Sequence, residues 1–118
     1  MIKDSDRDIF IIRRILTYCN EVDEVIRLCR NSFETFDTVF LFRNSASMSI
    51  QSIGELVKHL SDEFKQAHSN IPWSQIRGMR HRFAHDYYEM NHEIIWSVAV
   101  DDIPELRKFC EEILKDLP

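Results

Sequence analysis

Between Asn44 and Gln66 the apolar residues Ala46, Ile50, Ile53, Val57, Leu60 and Phe64 alternate spacings of four and three. That period fits one face of a helix and no strand, whose faces repeat every two residues. A second stripe, Ile9, Ile12, Leu16, Cys19, Val22, Ile26 and Cys29, runs through a helix expected from Asp6 to Cys29. Each stripe must be covered by another element, so the pair already dictates helices packed on helices. With 2 Gly and 3 Pro in 118 residues, the chain also lacks the turn residues that a sandwich or barrel of short strands requires.

The remaining segments fit the same plan. Asn31 or Ser32 can cap a short segment over Phe33–Leu41, whose aromatic side chains would cover one end of a bundle. Gly54 lies inside the second long helix, where close approach of another helix and simple tolerance are both reasons for it. The stretch from His68 to Trp73 breaks the pattern, and Pro72 suits the first turn of a third helix running from Trp73 to Tyr87. Its buried stripe would be Ile76, Met79, Phe83 and Tyr87. Glu93 to Val100 is short and mostly apolar, and Asp102-Ile103-Pro104-Glu105 has the spacing of a capping box. The last helix would then bury Leu106, Cys110, Ile113 and Leu117. The expected fold is all-α: an antiparallel four-helix bundle with additional short helices, forming a single domain over residues 1–118.

No apolar run approaches the roughly 18 residues that a membrane span needs. The N-terminus, Met1-Ile2-Lys3-Asp4-Ser5-Asp6, opens with charge instead of leading into a signal-peptide core. A cytoplasmic protein with no membrane association is expected. Cys19, Cys29 and Cys110 are odd in number, fall on apolar helical patterns and form no CxxC pair, so they read as reduced thiols of the core.

The formal net charge of −5 would ordinarily count against a nucleic acid partner. Locally the balance reverses. Residues 71–85 carry Arg77, Arg80 and Arg82 with no carboxylate, plus His81 and His85, whereas residues 86–118 hold nine acidic residues against Arg107, Lys108 and Lys115. A polyanion can bind at such a spot, and a solvated helix face with paired arginines fits the same pattern.

The crowding of cations, imidazoles and phenols from Arg77 to Tyr88 suits phosphoryl chemistry on RNA. Cleavage needs a base for the 2′-OH proton, an acid for the leaving 5′ oxygen and a fixed positive group on the phosphate. Histidine supplies the first two near neutral pH and arginine the third. With the 2′-OH as nucleophile no metal is needed, and the products are a 2′,3′-cyclic phosphate and a 5′-hydroxyl. Arg80 and His85, however, lie about 140° apart around a regular helix. Either the helix ends or bends near Ala84, or the site is completed by a second protomer; an ordinary surface helix with Arg80 ion-paired and His85 bonded to a neighbour fits the spacing too. His81 and His85 at i, i+4 have the spacing of paired zinc ligands, but no zincin-type Glu lies between them and Arg80 and Arg82 would repel a cation, so no metal is expected. Tyr87 reads as a core ring, with base stacking or acceptance of a modifying group as its alternatives. Trp73 and Trp96 read as packing residues.

From Arg80 to Tyr87 the chain resembles the R-x4-H-x-Y signature of HepT-type proteins in the HEPN superfamily, toxin ribonucleases of bacterial and archaeal toxin–antitoxin pairs. The flanks Ile71-Pro72-Trp73, Ile76-Arg77-Gly78-Met79, Glu93-Ile94-Ile95-Trp96 and Asp102 to Leu106 resemble the family as well, as do Asp6-Arg7-Asp8 and Asn44 through Glu55. The resemblance implies a mostly four-helix bundle that forms a homodimer, with the motif lining a cleft between protomers. By motif position, Arg80 would hold the scissile phosphate and His85 would transfer protons. His81 occupies the polar position where Asn is the common family choice, and would support the site. The implied partner is a nucleotidyltransferase antitoxin of the MntA type, which transfers AMP onto the motif tyrosine, here Tyr87. The implied function is that of a metal-independent endoribonuclease toxin in a type VII-like HepT/MntA pair, acting on RNA without a cofactor. A non-catalytic helical module that binds a nucleotide or a nucleotidyltransferase is the alternative.

Overall fold

The first apolar stripe becomes helix α1 (Asp4–Leu28) in a computed structural model that describes residues 4–78 and 92–117. Of the residues expected on its inner face, Ile12, Cys19, Val22 and Cys29 are fully buried, Leu16 and Ile26 are partly buried against the core, and Ile9 stays half-buried. Ile11, Ile15 and Val25 join them, because α1 packs against two other helices and buries a wider arc than one stripe. The helix ends without glycine. Arg30 and Asn31 adopt left-handed conformations (φ 56° and 53°), and the Asn31 and Arg30 N–H groups donate to the Ile26 and Arg27 carbonyls at 2.9 and 3.0 Å, closing a Schellman motif.

Ser32 then caps α2 (Phe33–Thr38), its hydroxyl oxygen accepting from the Thr35 N–H at 3.3 Å. Val39 is extended and separates α2 from α3 (Phe40–Lys58), so the segment expected over Phe33–Leu41 holds all of α2 and the first residues of α3. A larger difference follows at residue 59. The second long helix, expected to reach Gln66, stops at Lys58, and α4 (Asp62–Ala67) starts afresh with Ser61 as its cap, accepting from the Phe64 N–H at 3.1 Å. The cause is Asp8, buried on α1, whose carboxylate accepts the Ser61 N–H at 2.8 Å and the Ser61 hydroxyl at 2.6 Å. Leu60 remains buried and Phe64 partly buried across the break, so the apolar spacing runs on through it.

Helix α5 occupies residues 73–78 directly after Pro72, with Ile71, Trp73 and Ile76 buried. The rest of the expected third helix, with Met79, Phe83 and Tyr87, lies outside the described residues. On the far side, α6 (His92–Ser97) runs through one turn of π-helix (Val98–Asp102) into α7 (Ile103–Lys115). The expected capping box is absent: Asp102 has helical dihedrals and makes no side-chain cap, because the chain arrives already helical. The Ile103 N–H donates to the Val98 carbonyl instead, and the wider turn accommodates Pro104, which has no N–H to offer a preceding carbonyl.

Helix α1 is central, with α3 on one side and α7 with the π-turn on the other. Pairing of Asp8 with Ser61 and of Glu21 with Ser49 runs α1 and α3 in opposite directions, and the Asp23–Arg107 ion pair joins α1 to α7. The core unites Ile12, Ile15, Cys19 and Val22 with Ile50, Ile53, Ile103, Leu106 and Cys110. The architecture is an all-α bundle with added short helices; no strand occurs among the described residues, and none of their helices is long and apolar enough to cross a membrane.

Candidate active site

Arg80, His81, His85 and Tyr87, the residues singled out by the sequence, lie outside the described residues. What the structure supplies is the pair of anchors that bound their segment. On the N-terminal side, Trp73 is buried, its indole N–H donates to the His68 carbonyl at 3.1 Å, and Phe64 packs on both the His68 and Trp73 rings. Ile71 and Ile76 add buried apolar surface and hold α5 on the bundle.

The C-terminal anchor is aromatic and ionic. Trp96 stacks on Phe33 and lies tilted against Phe36, with centroids 5.9 and 5.2 Å away, and Ile95, its neighbour in the chain, is buried. At the first turn of α6, His92 Nδ1 lies 2.6 Å from the Asp37 carboxylate of α2. This contact fixes the imidazole's orientation. Sequence reasoning had no means to find it, since Asp37 is far away in the chain and carries no motif.

Arg77 on α5 is exposed and makes no ion pair or hydrogen bond with the described residues. Other arginines are engaged: Arg107 pairs with Asp23 and Glu111, at 3.3 and 3.1 Å, and Arg27 pairs with Glu24. Among the described residues the basic character read around the motif is represented by Arg77, while Arg107 of the acidic last helix is shared between Asp23 of α1 and Glu111 of α7.

The cysteines do no chemistry of this kind. Cys19, Cys29 and Cys110 are free and buried, as expected, and burial pushes the Cys110 thiol up to about 12 and the Cys19 thiol higher still, helped by Cys110 beside it. Neither of these two is a thiolate nucleophile at neutral pH. Among the described residues no group of three His, Cys, Asp or Glu side chains is placed to hold a metal ion.

Comparison with known proteins places this frame. The family described as Ribonuclease HepT-like matches residues 15–113, from the middle of α1 to the last turn of α7. A protein of Caldanaerobacter subterraneus subsp. tengcongensis named "Putative RNase TTE0752" is 38% identical over 104 residues, spanning 88% of this chain and 91% of its own. One of Methanocaldococcus jannaschii, "Putative RNase MJ0125", is 29% identical over 104 residues and 87% of each chain. The "Probable ribonuclease HepT" of Thermococcus cleftensis is 27% identical over 103 residues, 83% of this chain and 94% of its own. No solved structure gives a significant match. Since the matched span takes in the long helices, both anchors and the R-x4-H-x-Y segment between them, the chain belongs to the HepT-like ribonuclease family.

Proposed function

We propose that this chain is the toxin of a type VII-like HepT/MntA pair, a cytoplasmic, single-domain endoribonuclease that works as a homodimer and needs no metal. The observation that carries the reading is the intact R-x4-H-x-Y spacing at Arg80, His85 and Tyr87 inside the family match over residues 15–113. In this mechanism the 2′ oxygen attacks the adjacent phosphorus as a base takes its proton. The P–O5′ bond breaks as an acid protonates the leaving oxygen, giving a 2′,3′-cyclic phosphate and a 5′-hydroxyl. His85 acts in the proton transfers, and Arg80, facing it from the partner protomer across a two-fold axis, holds the phosphate as its charge grows. His81 supports the site beside Arg80. Tyr87 is the acceptor for AMP from the nucleotidyltransferase antitoxin, and the added phosphate charge and bulk would block RNA from the cleft.

The test is incubation of purified, unmodified protein with a mixed RNA pool in EDTA, beside His85→Ala, with analysis of product ends. Wild type should yield cyclic-phosphate ends, and the variant should lose about 100-fold or more of the rate. If neither protein cuts, with Tyr87 shown by mass to be bare, the chain is instead a non-catalytic helical module that binds a nucleotide or its nucleotidyltransferase partner.

A further inference from the structure

An open cleft of about 530 Å³ lies between α4, the segment after it and the start of α5. Among the described residues, Lys65 and Arg77 line it against a single carboxylate, Asp62, so that part of the lining is net positive on a chain of net charge −5. Both cations can exchange partners. Lys65, its side chain 24% exposed, reaches Asp62 only at 3.8 Å, and that carboxylate is 96% exposed, so the pair is long and its acidic half is solvated. Arg77 has no ion pair among the described residues at all. Exposed Gln66 and Ser69 add an amide and a hydroxyl to the rim, and the floor is the buried ring of Trp73, which α4 and the His68 carbonyl hold in place. The volume lies within the range of about 300–1,000 Å³ typical of ligand clefts.

We infer that this cleft binds the sugar–phosphate backbone of single-stranded RNA, a few nucleotides from the bond that is cut. The inference rests on the ribonuclease reading above and adds to it the path the substrate takes. Arg77 is three residues before Arg80 in the chain, so a strand held at Arg77 and Lys65 leads toward the motif. Two cations with hydroxyl and amide donors suit phosphate and ribose oxygens. A protein partner would call for exposed apolar residues at the centre of the surface, whereas here Ile71 and Trp73 are only 4% and 7% exposed. The cations bind backbone, not base edges, so the cleft gives affinity without sequence preference.

The experiment measures binding of a fluorescein-labelled single-stranded RNA across a salt titration, in a His85→Ala background that prevents cleavage. Lys65→Gln with Arg77→Gln should weaken binding about tenfold. It should also flatten the slope of log K against log salt by about 1.4, near 0.7 for each cation lost. The control, Arg7→Gln with Arg13→Gln, removes equal charge from the exposed face of α1 and should keep the wild-type slope. With His85 present, the loss in cleavage of the same RNA should fall on KM. Unchanged affinity and slope in the cleft variant, while wild type cuts RNA, would overturn the inference and leave the ribonuclease reading standing. A wild type that neither binds nor cuts RNA overturns both. A cleft variant that binds RNA normally but no longer binds a nucleotidyltransferase partner makes the cleft a protein contact and also defeats the proposal.

Discussion

Asp8 determines where the second long helix stops. Both of its carboxylate oxygens are used, one on the Ser61 N–H and one on the Ser61 hydroxyl, and the side chain is 3% exposed. Asp8→Ala therefore leaves a partly buried N–H without its acceptor, and urea unfolding should show a loss of about 1–3 kcal/mol. Ser61→Ala, which removes the α4 cap and the hydroxyl donor together, should cost about 1 kcal/mol. The cysteines give a second prediction at this scale. In native protein none of Cys19, Cys29 and Cys110 should be alkylated by iodoacetamide, while all three should react in denaturant, with intact mass as the readout. The difference between these cases is instructive. A cysteine on an apolar stripe reveals its burial through its immediate neighbours, whereas nothing local tells Asp8 that Ser61, 53 residues away, is its partner.

Among the elements, those set by periodicity were legible and those set by a distant contact were not. Helix α1 follows from its stripe, and α2 from Ser32. The break between α3 and α4 is hidden because Leu60 and Phe64 keep the helical spacing across it. Its one local signal is Ser61 followed by Asp62 and Glu63, a cap with an acidic first turn. The π-turn before α7 is the opposite case: Asp102 to Glu105 has the spacing of a capping box, yet the incoming chain is already helical and nothing there is left to cap. Among the described residues Asp102 gains no hydrogen-bond role in return. Partial burial, with Asp101 and Glu105 close by, raises its carboxyl from the ordinary aspartate value although the residue is largely exposed. A carboxyl raised in the folded state disfavours folding wherever it is ionised; that cost is full above the folded value and disappears as pH falls through the unfolded one. Asp102→Asn should accordingly raise the melting temperature near neutral pH and give no gain in acid below the carboxylate range. Thermal melts over a pH series check the sign.

At the scale of the whole molecule, the bundle was readable from pattern alone, but the candidate site was not. Arg80, His85 and Tyr87 gain a role from their motif, and a single regular helix would hold Arg80 and His85 about 140° apart. An assembly resolves this if one protomer supplies the arginine and its partner the histidine. Each anchor of the motif segment lies within one chain, Trp73 on α4 and Trp96 on α2, so the frame needs no second chain, whereas the proposed chemistry calls for one. Mixing separates the two arrangements. Arg80→Ala and His85→Ala proteins, each expected to be inactive alone, are unfolded together and refolded in equal amounts. About half of the dimers should then pair unlike chains. In a shared site, one of the two clefts in each mixed dimer regains both residues, so activity should return to about a quarter of wild type. If each protomer uses its own Arg80 with its own His85, every cleft still lacks one group and the mixture stays as inactive as its components.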